Sequence, residues 1–204
     1  MHTEATHFTL FVKKQLPSYF VNTRVHDVGS GDINGNNRHL FDTSCSYTGN
    51  DVFSAKNVDI VCKTSQLPFV KESIDVVVST ECFEHDPEYA LSFNKIVELV
   101  KPGGLFFFTC ASTGRAEHGT RRTSPRDSYG TIGNVEGFSD YYKNLTIFDV
   151  KEVLDIDSTF SFSRSYYNGA TKDLYFIGIK RGGEVTPDIS GFSDYTGNLV
   201  VRTS

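Results

Sequence analysis

Residues 24–35 read RVHDVGSGDING, a short apolar strand that runs directly into a glycine-rich turn. A turn at the end of a strand presents free backbone N–H groups, and glycines without a Cβ let a ligand approach the main chain. Gly29 and Gly31 lie in this turn, and Asp27 lies just before it. Because a glycine-rich turn after a strand is also a common tight turn, the interpretation as a nucleotide-binding loop depends on the segments that follow.

Further strands are predicted downstream of this turn. YTGNDV ends a second strand at Asp51, twenty residues past Gly31, where a carboxylate suits the hydroxyl groups of a ribose. VDIVCK is predicted as a third strand. IDVVVST, residues 74–80, is predicted as a fourth, and its apolar run is typical of a parallel strand buried on both faces. The polar cluster ECFEH follows it directly.

The remaining segments alternate helix and strand. A helix is predicted over residues 87–100, and KPGG, residues 101–104, is predicted to end it before the strand LFFFT. After a short helix, TFSFSRSYY and DLYFIGIKR flank an Asn-Gly turn signal and predict a hairpin. THFTLFVKKQL is predicted as an N-terminal helix beside the ligand crevice.

Five features stand in a fixed order and spacing: DVGSG, Asp51, the LPF turn, IDVVVSTECFEH and KPGG. In these features the chain resembles the class I S-adenosylmethionine-dependent methyltransferases, in particular small bacterial and phage-type members grouped as methyltransferase type 11. The resemblance covers residues 24–181. It implies an α/β fold, a Rossmann-like three-layer α/β/α sandwich with a mostly parallel seven-stranded sheet of order 3-2-1-4-5-7-6 and an antiparallel C-terminal hairpin. Residues 1–181 are expected to form the domain and residues 182–204 a C-terminal tail.

The same resemblance implies a cofactor, S-adenosyl-L-methionine, with S-adenosyl-L-homocysteine as product. The residues it implies at the cofactor are Asp27, Gly29, Ser30, Gly31, Asp51, Val52, Thr64, Ser65, Thr80 and Glu81. Two positions depart from the family pattern. Ile33 stands where a third glycine is usual, and Lys63 stands where an acid often holds the adenine amino group.

Residues 111–145 form a long stretch without strong periodicity, which predicts either a solvated loop or a substrate lid. Arginine suits anionic small molecules because its planar guanidinium matches phosphate and carboxylate. The residues predicted to bind the substrate are Arg115, Arg121, Arg122 and Tyr129. His85, at the end of strand four, and His118, in the lid, are the candidate general bases for a hydroxyl acceptor.

Composition narrows the function classes. A net charge of −5 disfavours a long nucleic acid as substrate. We expect a cytoplasmic protein without a membrane segment, a monomer or homodimer, with no metal because ligand spacings typical of metal sites are missing. Four scattered cysteines are expected to be reduced thiols.

Three hypotheses about function follow. The favoured one is O-methylation of a small-molecule or glycan acceptor, because STECFEH lacks the Asn/Asp-Pro-Pro-aromatic pattern of base N-methyltransferases. The alternatives are an RNA methyltransferase, which a basic face with Lys13 and Lys14 would favour, and a non-catalytic binding protein of the same fold. One motif belongs to none of them: GFSDYYKNL at residues 137–145 recurs as GFSDYTGNL at residues 191–199. It predicts either a loose tail or a tail that competes for the site of the first copy.

Overall fold

The structure is a computed structural model that describes residues 2–184, 187–194 and 200–202. Its strands join in one sheet of order β3-β2-β1-β4-β5-β7-β6-β8. The strand bounds are β1 Arg24–Val28, β2 Ser46–Asp51, β3 Ile60–Val61, β4 Ile74–Thr80, β5 Val100–Ala111, β6 Phe160–Asn168, β7 Asp173–Lys180 and β8 Val200–Arg202. The α-helices are α1 Thr3–Gln15, α2 Tyr89–Leu99, α3 Tyr129–Ile132, α4 Ile147–Val153 and α5 Ile156–Thr159.

The predicted sheet is confirmed. Strands β1 to β5 pair in parallel, whereas β7 is antiparallel to both β5 and β6, which gives the order 3-2-1-4-5-7-6. The structure adds a short eighth strand, β8, which pairs antiparallel with β6 at the edge of the sheet. Parallel strands with helical connections place all their carboxyl ends at one edge, where doubly wound folds bind ligands.

Each face of the sheet has its own apolar core. On one face, α2, α4 and α5 cover residues such as Val77, Phe106 and Phe176. On the other face, α1 packs Phe8 and Val12 against a second set of strand residues. No helix in the described part of the chain is long and apolar enough to span a bilayer.

The end of α2 was predicted at residue 100, one residue too late. The helix ends at Leu99, and Val100 already pairs with Ile74 in the sheet. The KPGG segment is therefore an irregular opening of β5, where the register with β4 shifts before Leu105. Gly103 permits this shift because it adopts a φ of +75°, which favours glycine.

The connection between β1 and β2 contains a short 3-10 turn, Arg38–Leu40, and no α-helix. The Arg38 side chain fixes this connection by donating to the Asn57 side chain, to the Tyr47 carbonyl at 3.2 Å and to the Asp59 carboxylate. This is where Ile33 replaces the family's third glycine. The glycine-rich loop accordingly does not lead into a helix N-terminus.

The described parts of the two GFSDY copies lie in different places. Phe138, in the first copy, is buried within the lid region. Phe192, in the second copy, packs against Phe11 and Phe162 beneath α1, and its carbonyl accepts a 2.8 Å hydrogen bond from Tyr166. Residues 195–199 of the second copy lie outside the described residues, so competition between the copies stays a hypothesis.

Candidate active site

A cavity of about 390 Å³ opens at the carboxyl ends of β1, β2 and β4. Its walls are the glycine-rich loop, the ECFEH segment and the loop that follows β5. Most of the predicted site residues line it: Asp27, Gly29, Ser30, Gly31, Asp51, Val52, Thr80, Glu81, His85, Arg115, His118 and Tyr129. The volume lies within the range of about 300–1,000 Å³ that is usual for small-molecule sites.

The glycine-rich loop packs closely against two other segments of the chain. Gly29 has a φ of +68°, and a Cβ on it would lie 2.1 Å from the Cys82 sulfur. A Cβ on Gly31 would meet the ring of Tyr129. The missing side chains thus let both ECFEH and the lid approach the loop backbone.

Beyond the glycines, the loop closes on itself. The Asp32 carboxylate accepts a 2.8 Å hydrogen bond from the Gly35 backbone N–H and pairs with Lys56 at 2.9 Å. The hydrogen bond from Lys56 lowers the pKa of Asp32 to about 2. An ionised Asp32 therefore holds the end of this loop in place, although no α-helix follows the loop.

Asp51 ends β2 at the floor of the cavity. Its carboxylate accepts hydrogen bonds from the backbone N–H groups of Val52 at 2.7 Å and Gly31 at 3.2 Å. Burial raises the pKa of Asp51 to about 6, although these N–H groups oppose the rise. The carboxylate is therefore held in a fixed position between β2 and the glycine-rich loop.

Asp27 is the second buried carboxylate of the cavity. Its Oδ2 accepts a hydrogen bond from the Tyr47 hydroxyl, whereas Oδ1 has no hydrogen-bond partner among the described residues. Burial raises the pKa of Asp27 to about 7, against the hydrogen bond from Tyr47. A buried oxygen without a partner is costly, so this wall is suited to a ligand that donates a hydrogen bond.

The structure places four predicted residues outside the cavity wall. Ser65 donates at 2.9 Å to Glu88, and Thr64 accepts a 3.4 Å hydrogen bond from Asn50 in the interior. Arg121 donates to the Asn134 side chain, and the exposed Arg122 pairs with Glu117 at 3.0 Å. The adenine role of Thr64 and Ser65 and the substrate role of Arg121 and Arg122 remain predictions without a contact to the cavity.

Charged side chains meet where the N-terminus reaches the cavity. His2 Nε2 lies 3.0 Å from Glu81 and 3.1 Å from the fully buried Asp173, which also pairs with Arg115 at 3.2 Å. Burial lowers the pKa of His2, but the hydrogen bonds to Asp173 and Glu81 outweigh it and raise the pKa to about 10. A cationic His2 therefore fastens the start of α1 to Glu81, just after β4, and to Asp173 at the start of β7.

Both candidate bases lie at the far end of the cavity. The rings of His85 and His118 are 5.0 Å apart and nearly perpendicular, and Tyr142 lies beside both. Burial lowers the pKa of His85 to about 4, so its ring is neutral near pH 7. The structure thus brings together two histidines that are 33 positions apart in the chain.

Three residues at or beside the cavity were not predicted from the sequence: His2, Glu84 and Phe138. His2 precedes the predicted N-terminal helix and carries no pattern that ties it to β4. Glu84 belongs to ECFEH, which was singled out as a polar cluster, but its complete burial has no signature in the sequence. Phe138 lies within the aperiodic lid region.

Residues 26–108 match the sequence model of the family described as "Methyltransferase domain". Over these residues the chain is similar to that methyltransferase family. A comparison with curated proteins gives no match. The matched segment contains the glycine-rich loop, Asp51, ECFEH and most of β5, whereas the lid and the C-terminal hairpin follow it.

Solved structures share the fold of the methyltransferase domain at low identity. Phosphoethanolamine N-methyltransferase 2 of Haemonchus contortus, in complex with phosphomonomethylethanolamine and S-adenosylhomocysteine, is 15% identical with a TM-score of 0.59; the match covers 87% of this chain and 53% of that one. A 1,6-didemethyltoxoflavin N1-methyltransferase of Burkholderia thailandensis is 15% identical with a TM-score of 0.58, covering 88% and 80%. The YcgJ protein of Bacillus subtilis is 12% identical with a TM-score of 0.55, covering 89% and 100%. The chain spans about half the length of the Haemonchus enzyme.

Proposed function

We propose that the chain is an S-adenosylmethionine-dependent methyltransferase that methylates an oxygen atom of a small-molecule or glycan acceptor. The family match and the solved complexes with S-adenosylhomocysteine support the cofactor. The observation that carries the proposal for this chain is the pair of buried carboxylates, Asp27 and Asp51, at the floor of one cavity.

The cavity walls fit the chemistry of this cofactor. Asp51 is held at the end of β2, where a carboxylate can accept from the ribose hydroxyls. The unpartnered Oδ1 of Asp27 is an acceptor for a further donor, such as the ammonium group of the methionine part. When bound, the cofactor supplies the reactive methyl group on a sulfonium sulfur, and the protein supplies position.

The far end of the cavity supports a small acceptor that carries a hydroxyl group. His85 and His118 line that end, and a neutral imidazole there can accept a proton from a hydroxyl group. Arg115 also lines the cavity, although it is engaged by Asp173 and by the Thr171 carbonyl at 2.7 Å. An extended glycan would reach Arg121 and Arg122 only by leaving the cavity along the lid.

The RNA alternative has less support from these contacts. Lys13 donates to the Leu40 carbonyl and lies over the Phe20 ring, and Arg122 faces the acidic side chains of Glu117 and Asp140. These cations are therefore already partnered, whereas a phosphate backbone is bound by free Lys and Arg side chains that displace the counterions condensed on its phosphates.

Activity is tested by incubating the full chain with S-adenosylmethionine labelled in its methyl group and a panel of sugars, sugar acids and phosphorylated sugars. The expected result is label transferred to an acceptor oxygen, located by mass spectrometry of the product. A structured RNA is included in the same panel. Transfer to RNA alone would overturn the choice of acceptor, and cofactor binding without transfer to any acceptor would favour the non-catalytic alternative.

A further inference from the structure

Three side chains that can each bind a metal ion meet at the end of the cavity that His85 and His118 line. They are Glu84, His85 and His118, and one ligand atom from each lies within 4.8 Å of the others. Glu84 Oε1 is 3.8 Å from His118 Nε2, too far for a hydrogen bond but close to the separation of two ligands on one ion.

The carboxylate of Glu84 lacks the partners that such a group needs in the interior. Glu84 is fully buried, and neither carboxylate oxygen has a hydrogen-bond partner among the described residues. A buried carboxylate without a donor is tolerated when a cation binds it.

Both imidazoles are oriented as metal ligands usually are. The Nδ1 of His118 lies 3.1 Å from the Ala116 carbonyl, so Nδ1–H donates there and Nε2 keeps its lone pair on the Glu84 side. The Nδ1 of His85 is buried and has no hydrogen-bond partner among the described residues. A backbone carbonyl on one ring nitrogen fixes the tautomer that leaves the other nitrogen free to bind a metal.

The lid backbone is shaped to bring His118 to this place. Gly119 adopts a φ of +71°, and a Cβ on it would lie 2.4 Å from Cε1 of His85. Only glycine therefore lets the chain after His118 pass over the His85 ring. The three groups converge because the lid is closed over the end of β4.

We propose that Glu84, His85 and His118 bind a divalent transition-metal ion, represented in the test by Zn²⁺. Two imidazoles and one carboxylate are a donor set that such ions favour, and they leave further coordination positions open toward the cavity. This proposal differs from the expectation of no metal that the sequence spacing gave, because His118 reaches the site from a distant loop.

The use of this ion in catalysis rests on the proposed function, whereas metal binding itself does not. A hydroxyl group of the acceptor bound to the ion loses its proton to water more readily, since the metal lowers the hydroxyl pKa. The acceptor oxygen then forms a bond to the methyl carbon while the carbon–sulfur bond breaks, and the electron pair stays on sulfur as a neutral thioether. The histidines would then act through the ion rather than as bases.

The other group of potential ligands, His2, Glu81 and Asp173, is unsuited to a metal. Both ring nitrogens of His2 already face carboxylates, Nδ1 toward Glu4 at 3.0 Å and Nε2 toward Glu81 and Asp173. The imidazolium occupies the place that an ion would take. This group therefore serves as an internal control for the proposed site.

Metal binding is tested on the full chain after treatment with a chelator, by calorimetric titration with Zn²⁺ and by visible absorption with Co²⁺. We expect one Zn²⁺ per chain and a Co²⁺ spectrum typical of nitrogen and oxygen ligands. His118→Ala and Glu84→Gln should each weaken Zn²⁺ binding by at least about 10-fold. His7→Ala, which removes an exposed histidine of α1, should leave Zn²⁺ binding unchanged.

The outcomes separate this site from its alternatives. Unchanged Zn²⁺ binding in both His118→Ala and Glu84→Gln, or no binding by the unmodified chain, would overturn the proposal. Loss of Zn²⁺ in His2→Ala with retention in His118→Ala would move the site to the other group. If Glu84→Gln does not fold, the His118→Ala result decides alone, because that side chain is partly exposed. Titration of the same samples with S-adenosylhomocysteine tests the cofactor separately, so failure of one proposal is distinguishable from failure of the other.

Discussion

The ring of Tyr129 lies against the backbone of Gly31, so closely that a Cβ on Gly31 would come within 2.3 Å of ring atoms Cδ2 and Cε2. The Tyr129 hydroxyl also donates to the Asp32 carbonyl at 3.2 Å. Through this one contact the start of α3 in the lid is fitted to the glycine-rich loop. The position of the lid and the position of the loop are therefore coupled.

Gly31→Ala should destabilise the protein by about 1–3 kcal/mol, because the added methyl group overpacks against the Tyr129 ring. In a Tyr129→Ala background the same change should cost less, since the ring is gone and only the contact of the Cβ with Asp51 Oδ2, at 2.8 Å, is left. Urea unfolding of the four proteins of this cycle measures the coupling. Equal costs in both backgrounds would show that the ring does not determine the need for glycine.

Asp27 should make the ligand-free protein less stable as pH rises. Its pKa is about 7 in the folded chain against an ordinary 3.8, so the folded state holds a proton that the unfolded state releases. The stability that this proton contributes is complete below pH 3.8 and is lost as pH rises through 7, by up to about 4 kcal/mol. Other groups also titrate in this range, so the quantity to measure is the difference in unfolding free energy between Asp27→Asn and the unmodified protein at pH 4.5 and pH 7.5. A difference that does not change between these two pH values would refute the raised pKa.

His2 should stabilise the protein over a different pH range. Its pKa is raised to about 10 from 6.5, so its contribution is complete below pH 6.5 and is lost as pH rises toward 10. His2→Ala should therefore destabilise the protein more at pH 6 than at pH 9.5. His7→Ala, on the exposed side of the same helix, is the control and should show no such trend. An equal effect of His2→Ala at both pH values would mean that the imidazolium does not hold α1 to Glu81 and Asp173.

The lid arginines should differ in their effect on stability. Arg115→Ala leaves the fully buried Asp173 with one cation fewer, and we expect a loss of about 1–3 kcal/mol. Arg122→Ala removes a cation that is 63% exposed, and we expect less than about 0.5 kcal/mol. Urea unfolding at pH 7 compares the two variants. Equal losses would contradict the assignment of Arg115 to the interior and Arg122 to the surface.

Much of the fold could be predicted because the strands and turns that determine it have local sequence patterns. The apolar run 74–80, the loop of residues 29–31 and the hairpin around residues 168–173 each carry their own signal, and the sheet order follows from their family arrangement. The missing helix after the glycine-rich loop did not follow, because Ile33 shows only that the usual glycine is replaced. The turn that takes the place of this helix depends on the contacts of Arg38 with the distant Asn57 and Asp59.

The site was predicted in the same uneven way. Asp27 and Asp51 were found because each ends a predicted strand, and parallel strands end at one edge. The meeting of His118 with Glu84 was not found, since it depends on how the aperiodic lid folds back over β4. Thr64 and Ser65 are predicted at the cofactor, and this role stays a prediction; in the structure they contact Asn50 and Glu88, which come from other elements.

The proposed function requires that this cavity binds S-adenosylmethionine through Asp51. The most direct measurement is calorimetric titration of the full chain with S-adenosylhomocysteine, beside Asp51→Ala and the control Asp75→Ala, which changes an aspartate near the opposite end of the sheet. We expect micromolar binding that Asp51→Ala weakens by roughly 10- to 100-fold, the loss of hydrogen bonds to a charged group, while Asp75→Ala binds as the unmodified chain does. No binding at millimolar ligand, or equal binding by Asp51→Ala and Asp75→Ala, would contradict it.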